Sequence, residues 1–400
     1  YLDGARSIAT GHNPYHRLLL QSIDPRNGTS TLPSTGYIYP PLLASVLAVP
    51  LRMGVSDAAI AVLWSLLNAA LLLWMGWELN LGLRGQRDWL GAVAWANLCL
   101  LPAIVTYDLH LGQADVVLAA LATGAFGAWA RGNRWGAVVL ALAVAIKITL
   151  VPLLLLWLWK RDWRATLTAC AATGVLVFLP FCLTGWQSLV DWLTFITRSN
   201  ALGGSADFVN QAPLGMLLRL FSPNGFIAPV LALPWLVLPL RLASAALAVG
   251  VWLWAVPRAP ASSRARALTE CLLALPVIVL ISPLAEDIHF CLIVPTLAAL
   301  SYLAWRHRAA VGGLRWAIWA ASALFCLPHL QDLIYPNRLF ALPGQSLPLL
   351  GGLIVILRMG LFLWIAWVGV LAGSLSLHRM AAPPSEPAGI DVPNATAIRV

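Results

Sequence analysis

The chain has 400 residues, 60% hydrophobic and only 10% charged, with a mean hydropathy of +0.81, whereas a water-soluble domain carries about 25% charged residues. Too little polar surface remains to face water, which excludes a string of soluble domains and implies an integral membrane protein. The net charge of +9 does not indicate nucleic acid, because the basic residues stand singly between apolar runs, a spacing that suits topology signalling rather than a phosphate-binding stripe. The 6 cysteines lie in or beside apolar segments without a CxxC pair, so neither a zinc cluster nor a disulfide framework is indicated.

Residues 1–56 read as a first outer loop, in which the apolar stretch 40–53 is too short to span and is expected to lie as a helix on the outer interface. Apolar runs then follow at 57–79, 89–106, 114–130, 135–159, 165–184, 228–256, 268–283, 290–304, 316–328 and 346–372. A span needs about 20 apolar residues, and Lys147 sits in the middle of 135–159. Basic clusters occur at Arg84/Arg87, Arg131/Arg134, Lys160/Arg161/Arg164, Arg258/Arg264/Arg266 and Arg306/Arg308/Arg315. Treating 135–159 as one span puts two of these clusters on opposite faces. Splitting it into 135–146 and 148–159 puts all five on one face, as the positive-inside rule requires. The reading is therefore an all-α polytopic membrane protein with about 11 transmembrane helices. A start outside without a signal sequence adds the expectation of a span before Tyr1, about 12 in all. The transmembrane domain covers 1–380, and the Pro-rich polar tail 381–400 is expected to be disordered on the cytoplasmic side.

Ionisable groups at membrane depth are costly and point to function. Here they gather on the outer side: 1–56, 107–113, the Lys147 turn, the second large loop 186–224, 282–289 and 329–345. An outward-facing polar cavity is the economical interpretation. Asp3, Asp108 and Asp115 are the carboxylate candidates. Asp108 pairs in sequence with His110, and Gln113 and Asp115 open the next helix, where an acid also suits the helix dipole. Lys147 at a helix break, with Pro152 after it, suits phosphate binding better than a snorkelling role. Glu286, Asp287 and His289 share a short turn between apolar helices, with no second His nearby to suggest a metal. Asn210 and Gln211 follow a Gly/Ser-rich stretch, and Tyr39 with Pro40 and Pro41 shapes the loop before the interfacial helix.

Six of these segments, in order, resemble one family: G-x-N-P-Y (Gly11 to Tyr15), Y-P-P-L (Tyr39 to Leu42), L-G-Q (Leu111 to Gln113), A-I-K-I-T-L-V-P (Ala145 to Pro152), N-Q (Asn210, Gln211) and S-P-L-x-x-D-x-H (Ser282 to His289). They look like glycosyltransferase family 87, whose members have the GT-C fold and use polyprenyl-phosphate sugars, often mannose. The resemblance implies transfer of a hexose, most often mannose, to a lipid or glycan acceptor at the outer face of the plasma membrane, by one inverting displacement with a carboxylate as base. It implies no metal or other cofactor and no nucleic-acid partner; the partners are the donor, the acceptor and membrane lipids. The family's base aligns upstream of Tyr1, and Asp3 lies close to that register without matching it. Asp108 and His289 are the remaining catalytic candidates. His110, Gln113, Lys147, Asn210 and Gln211 are assigned to donor sugar and phosphate, and Tyr39, Asp115, Glu286 and Asp287 line the site.

Two rivals make different demands. A flippase of lipid-linked sugars calls for polar residues through both leaflets and paired broken helices, whereas one break is evident here. An O-antigen-type polymerase or ligase calls for a large outer loop with several Arg, and 186–224 holds only Arg198 and Arg219.

Overall fold

The computed structural model describes residues 1–15, 37–201, 206, 210–224, 229–327 and 360–381. Every regular element among them is helical. In chain order these are α1 (Leu2–Ala9), α2 (Leu42–Arg52), α3 (Asp57–Leu79, extended by a π-helical turn to Arg84), α4 (Trp89–Leu100), α5 (Ala103–His110), α6 (Asp115–Ala130), α7 (Trp135–Ile146), α8 (Leu154–Trp159), α9 (Trp163–Phe178), α10 (Phe181–Thr184), α11 (Trp186–Ala201), α12 (Pro213–Phe221), α13 (Val237–Ala255), α14 (Arg264–Leu272), α15 (Ala274–Ile281), α16 (Val294–Arg306), α17 (Arg308–Val311), α18 (Leu314–Phe325) and α19 (Leu361–Ala381). Short polar side chains start several of them. Ser56, Asp88, Asp162 and Ser263 each accept a first-turn backbone N–H, at 3.3, 2.6, 3.0 and 3.2 Å, satisfying donors the helix itself leaves open.

Five stretches among the described residues are long and apolar enough to cross a membrane: Asp57–Arg84, Trp163–Thr184, Pro234–Ala255, Asp287–Arg306 and Leu361–Met380. A sixth arises if α4 and α5, which meet at 85°, count as one. This is fewer than the eleven that the apolar runs suggest, because several runs are broken into shorter helices. Pro102 separates α4 from α5, and Leu273 joins α14 to α15 within 268–283. The first half of 346–372, the segment 329–345 and the tail after Ala381 lie outside the described residues. Residues 42–52 form a helix of their own, α2, as expected for the interfacial segment.

Small residues let the helices approach. A Cβ placed on Gly76 of α3 would stand 2.8 Å from the backbone nitrogen of Ala96 on α4, so the two helices touch backbone to backbone there, a common way of joining helices in lipid.

The break at Lys147 is present: α7 ends at Ile146, Lys147 is extended (φ −142°, ψ 105°), and a 3₁₀ segment Ile148–Leu153 leads into α8. The two arms form a hairpin, since Trp129 before α7 donates its indole N–H to Asp162 after α8 at 2.9 Å. The basic clusters meet at that same end. Arg131 grips Glu78 at 2.5 and 2.9 Å. Lys160 donates to Glu270 at 2.6 Å and to the Pro257 carbonyl at 2.7 Å. Arg266 reaches Glu270 at 2.8 Å and the Leu377 carbonyl at 3.3 Å, and Arg379 reaches the Val311 carbonyl at 3.1 Å.

Glu270 is fully buried and pairs with two cations, Lys160 and Arg266. Removing one partner of a buried pair leaves an uncompensated charge and costs about 3 kcal/mol or more. Glu270→Gln is therefore expected to lower the thermal unfolding midpoint in detergent clearly, while Arg306→Gln, at an exposed position, leaves it unchanged.

Candidate active site

At the opposite end, the hairpin tip carries Lys147 into contact with the first turn of α6. Its ammonium donates to both carboxylate oxygens of Asp115, each at 3.0 Å, with side chains only 5% and 1% exposed. The ring of Tyr39 covers the ammonium, 5.4 Å from Nζ to the ring centre, and Tyr1 stacks on Tyr39 with centroids 5.0 Å apart. Glu286 and His289 lie within Coulombic reach of Lys147. Lys147, Asp115, Asp108, Tyr39, Glu286 and His289 are thus brought together as the sequence suggests.

Asp108 has a divided role. Helix α6 starts at Asp115 without a cap of its own, and Asp108 of α5 supplies one: its Oδ2 accepts from the Val116 backbone N–H at 3.2 Å. Its Oδ1 is buried and has no hydrogen-bond partner among the described residues. His110, two residues on, points elsewhere. It is exposed at the end of α5, because residues two apart on a helix do not share a face. Asp108 and His110 therefore point to different sides of α5. Gln113 is half-buried beside the cluster, with its backbone N–H on the Asp108 carbonyl at 3.1 Å and its Oε1 without a partner among the described residues.

Asp3 does not join the cluster. Its carboxylate is exposed and pairs with Arg6 at 2.9 Å, and Arg6 also holds Asp57. It lies instead on the wall of a cavity of about 380 Å³, with Tyr1, Arg6, Trp64, Leu111 and Gly112. Tyr1 is the shared wall between this cavity and the Lys147 cluster.

The 282–289 turn is built by a reciprocal cap. The Glu286 side chain accepts the His289 backbone N–H, while the Glu286 N–H donates to His289 Nδ1 at 3.1 Å. A backbone N–H can only donate, so Nδ1 is the acceptor and the ring proton sits on Nε2. Asp287 is buried and accepts from the Ile288 N–H at 2.8 Å.

Asn210 and the backbone of Gln211 are bonded to the same turn. Asn210 Oδ1 accepts from the backbone N–H groups of Ala212 (3.1 Å) and Ala285 (3.2 Å), its Nδ2 donates to the Pro283 carbonyl (3.3 Å), and the Gln211 N–H donates to the Ala285 carbonyl (2.7 Å). Gly215 is required beside it, since a Cβ there would stand 2.8 Å from Asn210 Cγ.

The Tyr39 loop is stapled likewise. Tyr15 donates its hydroxyl to the Tyr39 carbonyl at 2.8 Å, Tyr37 donates to the Pro40 carbonyl at 2.5 Å, and Asn13 ties the loop to Asp191 at 2.6 Å. Burial raises the phenol pKa values of Tyr15, Tyr37 and Tyr39 above the usual tyrosine value, so all three remain protonated donors.

Two residues escape the sequence reading. Arg219, fully buried in α12, donates to the Asn210 carbonyl at 3.0 Å. Asp191, buried in α11, holds Asn13 and also accepts from Gln187 at 2.8 Å. The available signal in each case is a single charge on an otherwise apolar helix face. Asn210→Ala strands two buried backbone donors, at about 1–3 kcal/mol. It is expected to lower the thermal midpoint and the activity together, whereas a substitution confined to a ligand contact would lower activity alone.

No curated protein and no solved structure matches this chain. The model of glycosyltransferase family 87 matches residues 37–283, well over half of the chain, an interval that takes in Tyr39, Asp108, Asp115, Lys147, Asn210 and Gln211. On that match, the chain belongs to glycosyltransferase family 87.

Proposed function

We propose that this glycosyltransferase moves a hexose, mannose, from a polyprenyl-phosphate carrier to a lipid or glycan acceptor. The reaction takes place at the outer face of the plasma membrane and requires no metal or other cofactor. The observation that carries the reading is the buried Lys147–Asp115 pair under Tyr39, at the end of the bundle opposite the basic clusters. By the positive-inside rule those clusters face the cytoplasm, which puts Lys147 outside, at the depth of a lipid phosphate.

In this reading the acceptor hydroxyl gives its proton to a carboxylate as its oxygen bonds to the sugar's anomeric carbon from the face opposite the leaving group. The bond from that carbon to the phosphate oxygen breaks, and polyprenyl phosphate departs with inversion. Among the described residues Asp108 is the carboxylate best placed as base. One oxygen is held by Val116 and the other is unpartnered, so the group is oriented and retains a free lone pair. Lys147 and the Nε2–H of His289 face the charge that grows on the leaving phosphate. Asp115 holds Lys147 in place, and Tyr39 excludes water above it. Asp3, exposed and engaged by Arg6, is assigned no chemistry.

The test supplies membranes containing the full chain with polyprenyl-phosphate-[14C]mannose and a total lipid extract as acceptor. Transfer of label from the carrier to another lipid or glycan is expected. Lys147→Met is expected to reduce the rate about 10²–10³-fold and Asp108→Asn about 10²–10⁴-fold, with thermal midpoints near wild type for Asp108→Asn. Transfer left intact in both variants would remove this site from consideration. Movement of labelled carrier across the bilayer without transfer would favour a flippase instead.

A further inference from the structure

A second pocket, of about 210 Å³, lies at the basic end of the bundle, where the Lys147 hairpin closes on itself. It is lined by Trp129, Asn133, Arg134, Asp162 and Arg164, among others. Three basic groups at this end are held by buried acids: Arg131 by Glu78, and Lys160 and Arg266 by Glu270. Arg134 and Arg164 are different. Both are exposed and line the same pocket, Arg134 at the start of α7 and Arg164 in the first turn of α9, and neither has a carboxylate within ion-pair distance among the described residues.

The one acid in the lining, Asp162, is turned inward. One oxygen accepts the Trp129 indole N–H at 2.9 Å, and the other accepts the Ala165 backbone N–H at 3.0 Å. It therefore holds the floor together and leaves the two guanidinium groups to set the character of the mouth. The depth of the pocket is marked by Trp135 and Trp163, the chain neighbours of Arg134 and Arg164, which are 70% and 59% exposed. Exposed indoles at helix ends sit at the headgroup level of a bilayer.

We propose that this pocket binds a phosphate group, supplied by the headgroup of an anionic glycerophospholipid in the leaflet at the basic end, with Arg134 and Arg164 as its clamp. Guanidinium groups suit phosphate oxygens through paired N–H donors. The pocket is smaller than a site that encloses a whole small molecule and fits a headgroup whose acyl chains stay in the bilayer. Basic pockets between transmembrane helices are a known way of recognising such lipids. By bridging the loop after α6 and the loop after α8, the lipid would lock the base of the hairpin whose tip carries Lys147.

The test uses the purified full chain in neutral detergent. Its thermal midpoint is measured with phosphatidylglycerol, phosphatidylcholine or inorganic phosphate, and lipids retained by the protein are counted by native mass spectrometry. Phosphatidylglycerol is expected to raise the midpoint by about 3 °C over phosphatidylcholine. The gain should be lost in R134Q/R164Q and kept in R306Q/R308Q, whose arginines lie outside the pocket. The first variant should also retain fewer phosphatidylglycerol molecules than wild type, a readout that does not depend on its own stability. Equal gains and equal lipid counts in all three proteins would overturn the proposal. A gain from inorganic phosphate equal to that from phosphatidylglycerol would overturn the lipid as the source while leaving the arginine clamp as a phosphate site.

Discussion

The buried ion pair between Lys147 and Asp115 is the constraint around which the rest is arranged. An ammonium at membrane depth is tolerated only when paired and hydrogen-bonded, and the chain meets that demand by interrupting a helix. Lys147 stops α7, its own N–H still bonding the Ala143 carbonyl at 3.1 Å, and its carbonyl accepting from Leu150 at 3.1 Å. Both backbone groups of Lys147 thus stay bonded across the break. Because the chain turns there, α8 returns to where α7 began, and Trp129 meets Asp162. One ion pair thus fixes a site at one end and a closed loop pair at the other.

Around that pair, conserving the geometry falls to residues that look like ligands in the sequence. Asn210 stitches the segment before α12 to the 283–285 turn, and that turn in turn presents Glu286 and His289. Tyr15 does the same for the Tyr39 loop. Asp108 caps a helix that is not its own. Polar motifs that lie far apart along the chain are therefore hydrogen-bonded to one another, as N-Q is to S-P-L-A. Each bond is worth only about 1 kcal/mol net, but losing one leaves a buried donor unmet. That asymmetry makes these residues harder to replace than their modest bond energies suggest.

The hairpin and the gathering of basic clusters at one end were legible from charge alone, because the positive-inside rule is a counting argument that needs no side-chain geometry. The cluster of Lys147, Asp115, Asp108, Tyr39, Glu286 and His289 was legible as a set, since each is a polar group stranded among apolar ones. Their pairing was not. That Asp108 and His110 separate follows from helical phase once α5 extends to His110. That Asp3 belongs to Arg6 follows from the same phase in α1. The described residues hold fewer full-length spans than the apolar runs suggest for a related reason: hydropathy registers apolar runs, whereas Pro102 and the junction at Leu273 divide such runs without making them less apolar. Arg219 and Asp191 went unassigned because their partners, the Asn210 carbonyl and the Asn13 amide, are named only by tertiary contact.

Under the proposed function, the charge balance at the site bears on how it would work. Asp115 already neutralises Lys147, so the pair offers a substrate phosphate no net positive charge to attract it from a distance. What it offers is placement. Two of the three ammonium N–H bonds are spent on Asp115, and Tyr39 limits the space into which the side chain can swing. A donor fixed in this way before substrate arrives requires little reorganisation as charge develops on the leaving oxygen, and in a dry setting that saving outweighs a stronger but mobile cation. The same reasoning extends, under the proposed function, to Asp108: an oxygen held in place by the Val116 N–H on its partner atom and left without a bond of its own is ready to accept a proton.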